Sequence, residues 1–167
     1  TDAMEGFIRV ILKGVSGEAY NIGNPDPEIS VVDLIKKIEL LVVHCSDTDN
    51  HIDMNAIDIH KMHLKFGWDG IGYHKIIRRS GKVENGRPEY WVGAHVKGKN
   101  QISLGVCLIG RDKFTKKQFL SLEKILTKWK LLYPDTKIVG HRDLGNTNKT
   151  CPNFDVKSWS KNVELCI

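Results

Sequence analysis

Long apolar runs are missing from this sequence. Nothing approaches the roughly eighteen consecutive apolar residues that a membrane-spanning helix requires, so no membrane partner is expected. The first residues lack the basic, apolar and small-residue succession of a secretory leader, and cytoplasmic synthesis without a signal peptide is the expectation. Cysteine is scarce, with Cys45, Cys107, Cys151 and Cys166 spread over 167 residues. A disulfide-stapled domain is usually smaller and denser in cysteine, so these four read as thiols of a reducing compartment. Three further absences narrow the chemistry. No H-E-x-x-H pattern occurs, which excludes the thermolysin type of peptidase. No glycine-rich turn is present to cradle a dinucleotide. No basic helix is interleaved with aromatic residues, so nucleic acid is not an expected partner despite a net charge of +5.

That charge is uneven. Residues 1–39 carry four Lys/Arg against seven Asp/Glu, whereas residues 40–167 carry twenty-one against thirteen. A basic body steers polyanionic partners towards itself. With nucleic acid disfavoured, the anionic peptide stems and wall polymers of bacteria rank first.

The stretch richest in chemistry is Lys137 to Asp155, KIVGHRDLGNTNKTCPNFD. It reads as a short β-branched strand running into a loop that carries His141, Lys149 and Cys151. An imidazole and a thiolate on one loop are good zinc ligands, but a site needs more than two. His44, at the end of the apolar run Leu40 to Val43, supplies a third. Three protein ligands and one open position make the layout of a catalytic zinc site, since a structural site would close the fourth position. Two plainer readings stand beside it. A histidine at a strand end is often only hydrogen-bonded, and a single cysteine is often a small buried hydrophobe. A Cys–His nucleophile pair, Cys151 with His141 as base, is a further alternative, although it leaves His44 unexplained. Cys45 follows His44 on the strand, so its side chain is expected to face away from a metal.

The order of elements follows from periodicity. Leu40 to Cys45 is a strand, and the polar SDTDNHID is a loop. Met54 to Phe66 is a helix bringing Ile57, His60, Met62, Leu64 and Phe66, stopped by Gly67. His60 and His63 are three apart and read as solvated or capping residues, with a metal role as the alternative. GIGYHKIIRR is a strand that SGK turns into a short strand around Val83 and Glu84. Its alternation puts Tyr73, Lys75 and Ile77 on one face and His74 and Ile76 on the other. ISLGVCLIG is a central strand covered on both faces, with Cys107 in the core. Phe114 to Leu132 is a helix with Phe119, Leu122, Ile125, Leu126 and Trp129 at helical spacing, and Val156 to Glu164 closes the chain as a short helix. The fold expected is α/β, a central mixed β-sheet flanked by helices on both faces, with a small N-terminal helical appendage.

Four ordered blocks, VHCSDT, HLKFGWDGIGYHKII, VGAHVKGKNQISLGVCLIG and GHRDLGNTNKTCPNFD, resemble the phage zinc amidases. These are N-acetylmuramoyl-L-alanine amidases, or amidase-type phage lysozymes, which share a fold with peptidoglycan recognition proteins. The resemblance runs from about residue 40 to 167. It implies one zinc ion held by His44, His141 and Cys151, and hydrolysis of the amide between N-acetylmuramic acid and L-alanine in bacterial peptidoglycan. Zinc would polarise that carbonyl and acidify water. Tyr73 and Lys149 match the family's catalytic tyrosine and lysine, placed to meet the developing oxyanion. His95, Asn100 and Trp68 are candidates for contact with the glycan or peptide. A phage endolysin released to the periplasm and acting on the cell wall is the implied setting. The alternative is a non-catalytic peptidoglycan-binding module of the same fold. Such modules typically lack the cysteine ligand that is kept here as Cys151.

Residues 1–39 have a character of their own. TDAMEGF and YNIGNPDPEISVVDLIKKI resemble the C-terminal part of NAD-dependent sugar-nucleotide epimerases and decarboxylases. The catalytic Tyr and Lys pair of that family is absent, as is the dinucleotide turn, so no epimerase activity is expected. Phe7, Ile8 and Ile11, and Val31, Leu34, Ile35 and Ile38, form apolar helical faces that must pack on something. Self-association through this segment is one expectation.

Overall fold

The computed structural model describes residues 37–145 and 150–165. The expectations for residues 1–36, for Lys149 and for Cys166 lie outside the described residues.

Five strands form one mixed sheet in the order β3–β2–β4–β1–β5. They are β1 (Leu40–Cys45), β2 (Lys75–Ile77), β3 (Val83–Asn85), β4 (Ser103–Leu108) and β5 (Lys137–Gly140). The helices are α1 (Ala56–Lys65), α2 (Lys116–Leu132) and α3 (Val156–Asn162), and short 3-10 turns cover Asn100–Ile102 and His141–Leu144. β1 lies between β4 and β5 and is parallel to both, with His44 opposite Cys107. β2 is parallel to β4, and only the edge strand β3 runs antiparallel. Parallel pairing places the carboxyl ends of β1 and β5 side by side. Ligands gather at that end of an open α/β sheet.

Alternation along each strand divides the core. Leu41 and Val43 of β1, Leu104, Val106 and Leu108 of β4, and Ile138 of β5 pack with Leu122, Leu126 and Trp129 of α2 and Val156 of α3. The opposite face is covered differently. Ile59 of α1 meets Ile76 and Ile109, while Val42 and Val139 meet Val96. Helices therefore cover both faces, as the sequence predicts. All six residues of β4 are buried, which accounts for its nearly continuous apolar run.

Capping explains where the helices begin. Asn55 Oδ1 accepts the Ile57 and Asp58 amides, Asp58 returns a bond to the Asn55 amide, and Glu84 Oε2 takes the Ala56 amide at 2.8 Å. The orphan donors of the first turn of α1 are thus satisfied, one of them from β3. Thr115 and Gln118 form the equivalent capping box on α2.

α1 is shorter at both ends than the expected helix Met54 to Phe66. Its buried residues are Ile59 and His63, whereas Ile57, Leu64 and Phe66 are exposed, and Ile59 packs with Ile76 and Ile109. The strand around Tyr73 is also shorter than predicted. The Gly105 amide donates to His74 Nδ1 at 3.0 Å rather than to a backbone carbonyl, so regular pairing starts only at Lys75. Tyr73 therefore escapes the alternation. It packs with Ile59 and Ile76 on one side of the sheet, while Ile77 lies under α2 on the other.

Candidate metal centre and cleft

His44 is the penultimate residue of β1 and is 1% exposed. Val42 and His44 share a face, so the strand that buries Val42 also aims this imidazole across the sheet. His141 follows β5 directly, opening a turn whose Asp143 carboxylate accepts the Gly140 amide at 2.8 Å. The loop that returns to α3 brings Cys151 against the end of β1, where its sulfur accepts the Cys45 amide at 3.3 Å. Three elements thus converge. One ligand atom from each of His44, His141 and Cys151 lies within 4.8 Å of the other two, and His44 Nδ1 stands 3.9 Å from Cys151 Sγ.

Two imidazole nitrogens and a thiol are the donor set that zinc prefers, and three protein donors leave a position open. The group can hold a metal ion. Cys45 lines the cleft but is not among the three donors. Its neighbouring thiol, together with burial, pushes the Cys151 thiol above its ordinary range. A coordinated cation reverses that balance, because a ligating thiol is deprotonated.

The trio sits in a cleft of about 650 Å³, walled by Ser46 and Thr48 on one side and Phe66, Trp68 and Tyr73 on the other. The Tyr73 ring is 5.1 Å from that of His44. Burial, followed by the nearby thiols, holds its phenol well above the usual tyrosine range, so it is an O–H donor at neutral pH. A second groove of about 970 Å³ shares Trp68, His95 and His141 with the first and is also lined by Asn100. Trp68 is 43% exposed and meets His63 in a tilted contact, with the ring centroids 4.5 Å apart. Asn100 Oδ1 accepts the amides of His95 and Val96, fixing the loop that carries His95. His95 is buried, with Nδ1 3.0 Å from His44 Nε2.

His63, by its sequence a solvated or capping residue, is a buried capping residue of the cleft wall. It is 2% exposed and accepts the Gly72 amide on Nδ1, while His60 accepts the Ile71 amide in the same way. Both histidines cap the incoming loop. Burial lowers the His63 pKa, and with Nδ1 accepting, its proton is on Nε2. Phe66 and Thr48 also line the cleft and were not singled out. The aromatic pair flanking Gly67 was the available signal.

Fold and site together define an α/β protein with an open, metal-competent cleft at the carboxyl ends of parallel strands. The family model for N-acetylmuramoyl-L-alanine amidase matches residues 35–154. The chain is 41% identical over 131 residues to the endolysin of Enterobacteria phage K11, covering 74% of this chain and 85% of that protein. Among solved structures, the N-acetylmuramoyl-L-alanine amidase LysC from Clostridium intestinale URNW is similar with a TM-score of 0.68 at 30% identity, covering 77% of this chain and 86% of LysC. The peptidoglycan recognition proteins LCa and LCx, solved with tracheal cytotoxin, give a TM-score of 0.65 at 25% identity, with 76% and 82% covered. The chain belongs to the N-acetylmuramoyl-L-alanine amidase family and is an amidase.

Proposed function

We propose that this chain is a zinc-dependent endolysin that hydrolyses the amide between the lactyl group of N-acetylmuramic acid and L-alanine in bacterial peptidoglycan. The observation that carries the reading is the His44, His141 and Cys151 donor trio, open to the cleft. Retention of the cysteine favours catalysis over passive wall binding. A zinc ion bound there supplies Lewis acidity to the scissile carbonyl and acidifies water.

The protein's own groups do the rest. His44 and His141, held at adjacent strand ends, and Cys151, held against the Cys45 amide, fix the donor geometry before any substrate arrives. Tyr73 keeps its proton and donates its hydroxyl to the oxygen on which negative charge develops. Lys149, two residues before Cys151 in the sequence, is assigned a second positive contact to that oxygen. Trp68, His95 and Asn100 line the adjoining groove and are proposed to meet the glycan or peptide. The basic body draws the anionic wall. Among the described residues no helix is long and apolar enough to cross a membrane, and action on the cell wall is the proposed setting. Residues 1–39 are proposed to be an accessory segment through which copies of the chain associate, although its last two residues, Ile38 and Glu39, already join the core and the sheet.

The test is elemental analysis together with product analysis. The purified protein should hold one zinc per chain, and Cys151→Ser should lose most of it. Digested wall should gain amino termini without gaining reducing sugars. Full zinc in Cys151→Ser would remove that cysteine from the site, and new reducing sugars would reject amide hydrolysis in favour of glycoside cleavage.

A further inference from the structure

Behind the metal trio a buried polar row runs inwards from His44, through His95 to Ser103 and the Lys99 carbonyl. His44 turns Nδ1 towards Cys151 Sγ and Nε2 inwards to His95 Nδ1, 3.0 Å away. An imidazole ligates a metal through a nitrogen that carries no proton, so neutral His44 must carry its proton on Nε2. That N–H needs an acceptor. His95 Nδ1 can accept only if the His95 proton is on its own Nε2.

The next links meet this requirement. Ser103 Oγ lies 2.7 Å from the Lys99 carbonyl, which can only accept, so the serine hydroxyl donates there. Its lone pairs are left for His95 Nε2, 3.5 Å away at the long end of the hydrogen-bond range. One orientation of donors follows along the whole row. Lys99 C=O takes the Ser103 hydroxyl, Ser103 Oγ takes His95 Nε2–H, and His95 Nδ1 takes His44 Nε2–H. His44 Nδ1 then keeps its lone pair for the trio.

The seat of His95 is built to hold this arrangement. A Cβ at Gly105 of β4 would stand 2.7 Å from His95 Nδ1, and one at Gly93 in the preceding loop would stand 2.5 Å from its Cδ2, so the ring needs glycine on both sides of its pocket. The Asn100 side chain pins the His95 amide at 2.9 Å. Ser103 is fully buried at the start of β4.

We propose that His95 and Ser103 are positioning residues, a relay anchored on the Lys99 carbonyl that fixes His44 in its metal-competent tautomer. The proposal rests on the reading of His44 as a metal ligand. Partners of this kind orient ligating histidines and raise their basicity, and losing one typically weakens metal binding.

The test avoids His95 itself, which also lines the groove, and uses Ser103, which lines neither cleft. Two-bond proton–nitrogen spectra of ¹⁵N-labelled, zinc-free wild-type protein should show His44 and His95 both as Nε2–H tautomers. This measurement needs no variant to fold. Ser103→Ala should give His44 a mixture of tautomers and raise the zinc Kd, read by chelator competition, roughly 10- to 100-fold. A His44 proton on Nδ1 in the wild type would overturn the proposal. So would a wild-type zinc Kd in a folded Ser103→Ala protein whose His44 tautomer is unchanged. Zinc bound at wild-type strength by His44→Ala would instead overturn the ligand reading, a result distinct from either.

Discussion

Replacing Tyr73 by phenylalanine separates metal binding, stability and catalysis in one substitution. The ring that stands 5.1 Å from His44 and 5.3 Å from His63 is kept, and only the hydroxyl is removed. No atom of Tyr73 belongs to the donor trio, so zinc content should stay at one per chain. Loss of one hydrogen bond at a buried hydroxyl costs about 1 kcal/mol, which lowers Tm by about 4 °C in a domain of this size. The protein remains folded at assay temperature. Loss of one oxyanion donor costs about 2.7–4 kcal/mol of transition-state stabilisation, or roughly 10²–10³ in kcat. The two magnitudes do not overlap, and that gap makes the substitution decisive. Because burial holds the phenol above its ordinary range, the wild-type donor is present throughout the neutral pH range. The assay is the rate at which new amino termini appear in purified peptidoglycan, resolved into kcat and KM, with zinc measured on the same sample. A donor used only in the transition state lowers kcat and leaves KM in place. A zinc-loaded Tyr73→Phe enzyme with wild-type kcat would refute the assignment.

Lys149→Ala should likewise keep zinc and fold while losing roughly 10²-fold in kcat, and an unchanged kcat would take the lysine out of the reaction. Glu84 is held below its ordinary pKa of 4.5, chiefly by the Ala56 amide and then, against burial, by Lys82 and Arg78. A depressed carboxylate adds stability that is present above its unfolded pKa and lost as pH falls through the folded one. Glu84→Gln keeps an acceptor for the Ala56 amide and removes only the charge, so it should cost about 0.5 kcal/mol at pH 7, with the difference shrinking below about pH 4.5 in urea melts. A difference that stays constant into acid would show that the charge contributes nothing. Truncation tests the boundary of the catalytic unit. Ile38 is 7% exposed in the main core, and Glu39 gives its amide to Ile102 and accepts the Lys137 amide. A chain starting at Lys37 should fold and bind zinc, whereas one starting at Leu40 should be less stable by about 3–5 kcal/mol. An insoluble or zinc-free Lys37 start, beside active full-length protein, would make the preceding segment part of the fold.

Why these residues differ in how readily they are read follows from range. β1, β4 and β5 appear in the sequence as apolar runs because burial on both faces leaves no polar alternation to confuse them. His44, His141 and Cys151 stand out because the two histidines lie at strand ends and the cysteine directly precedes Pro152, and metal donors are few in kind. Alternation groups Tyr73 with Lys75 and Ile77, yet Tyr73 shares its side of the sheet with Ile76, because the backbone leaves regular pairing just there, where His74 Nδ1 takes the Gly105 amide. A side chain substituting for a carbonyl in a ladder has no signature at period two. The apolar residues of α1 lie around more than one side of the helix, so its sequence does not say which face is buried; the packing of Ile59 on Ile76 and Ile109 decides it.

For His63, His95 and Ser103 it is the partner that the sequence does not show, although His63 reads as a solvated or capping residue and His95 as a candidate substrate contact. Each is a polar residue buried because a specific partner receives it: the Gly72 amide for His63, His44 for His95, and the Lys99 carbonyl for Ser103. Periodicity scores such residues as surface, and burial without partners would cost each several kcal/mol. A buried polar side chain in this fold therefore points to another, and following those pairings leads back to His44. The glycines on either side of His95 fit the same logic, since a Cβ at either would occupy the space of the ring. The third of the four blocks, from Gly93 to Gly105, thus supports the metal trio as well as forming a groove wall. A Gly105→Ala substitution should then disturb zinc binding although it adds one methyl group away from every ligand, and a wild-type zinc Kd in that variant would show that the seat of His95 is not needed to hold His44.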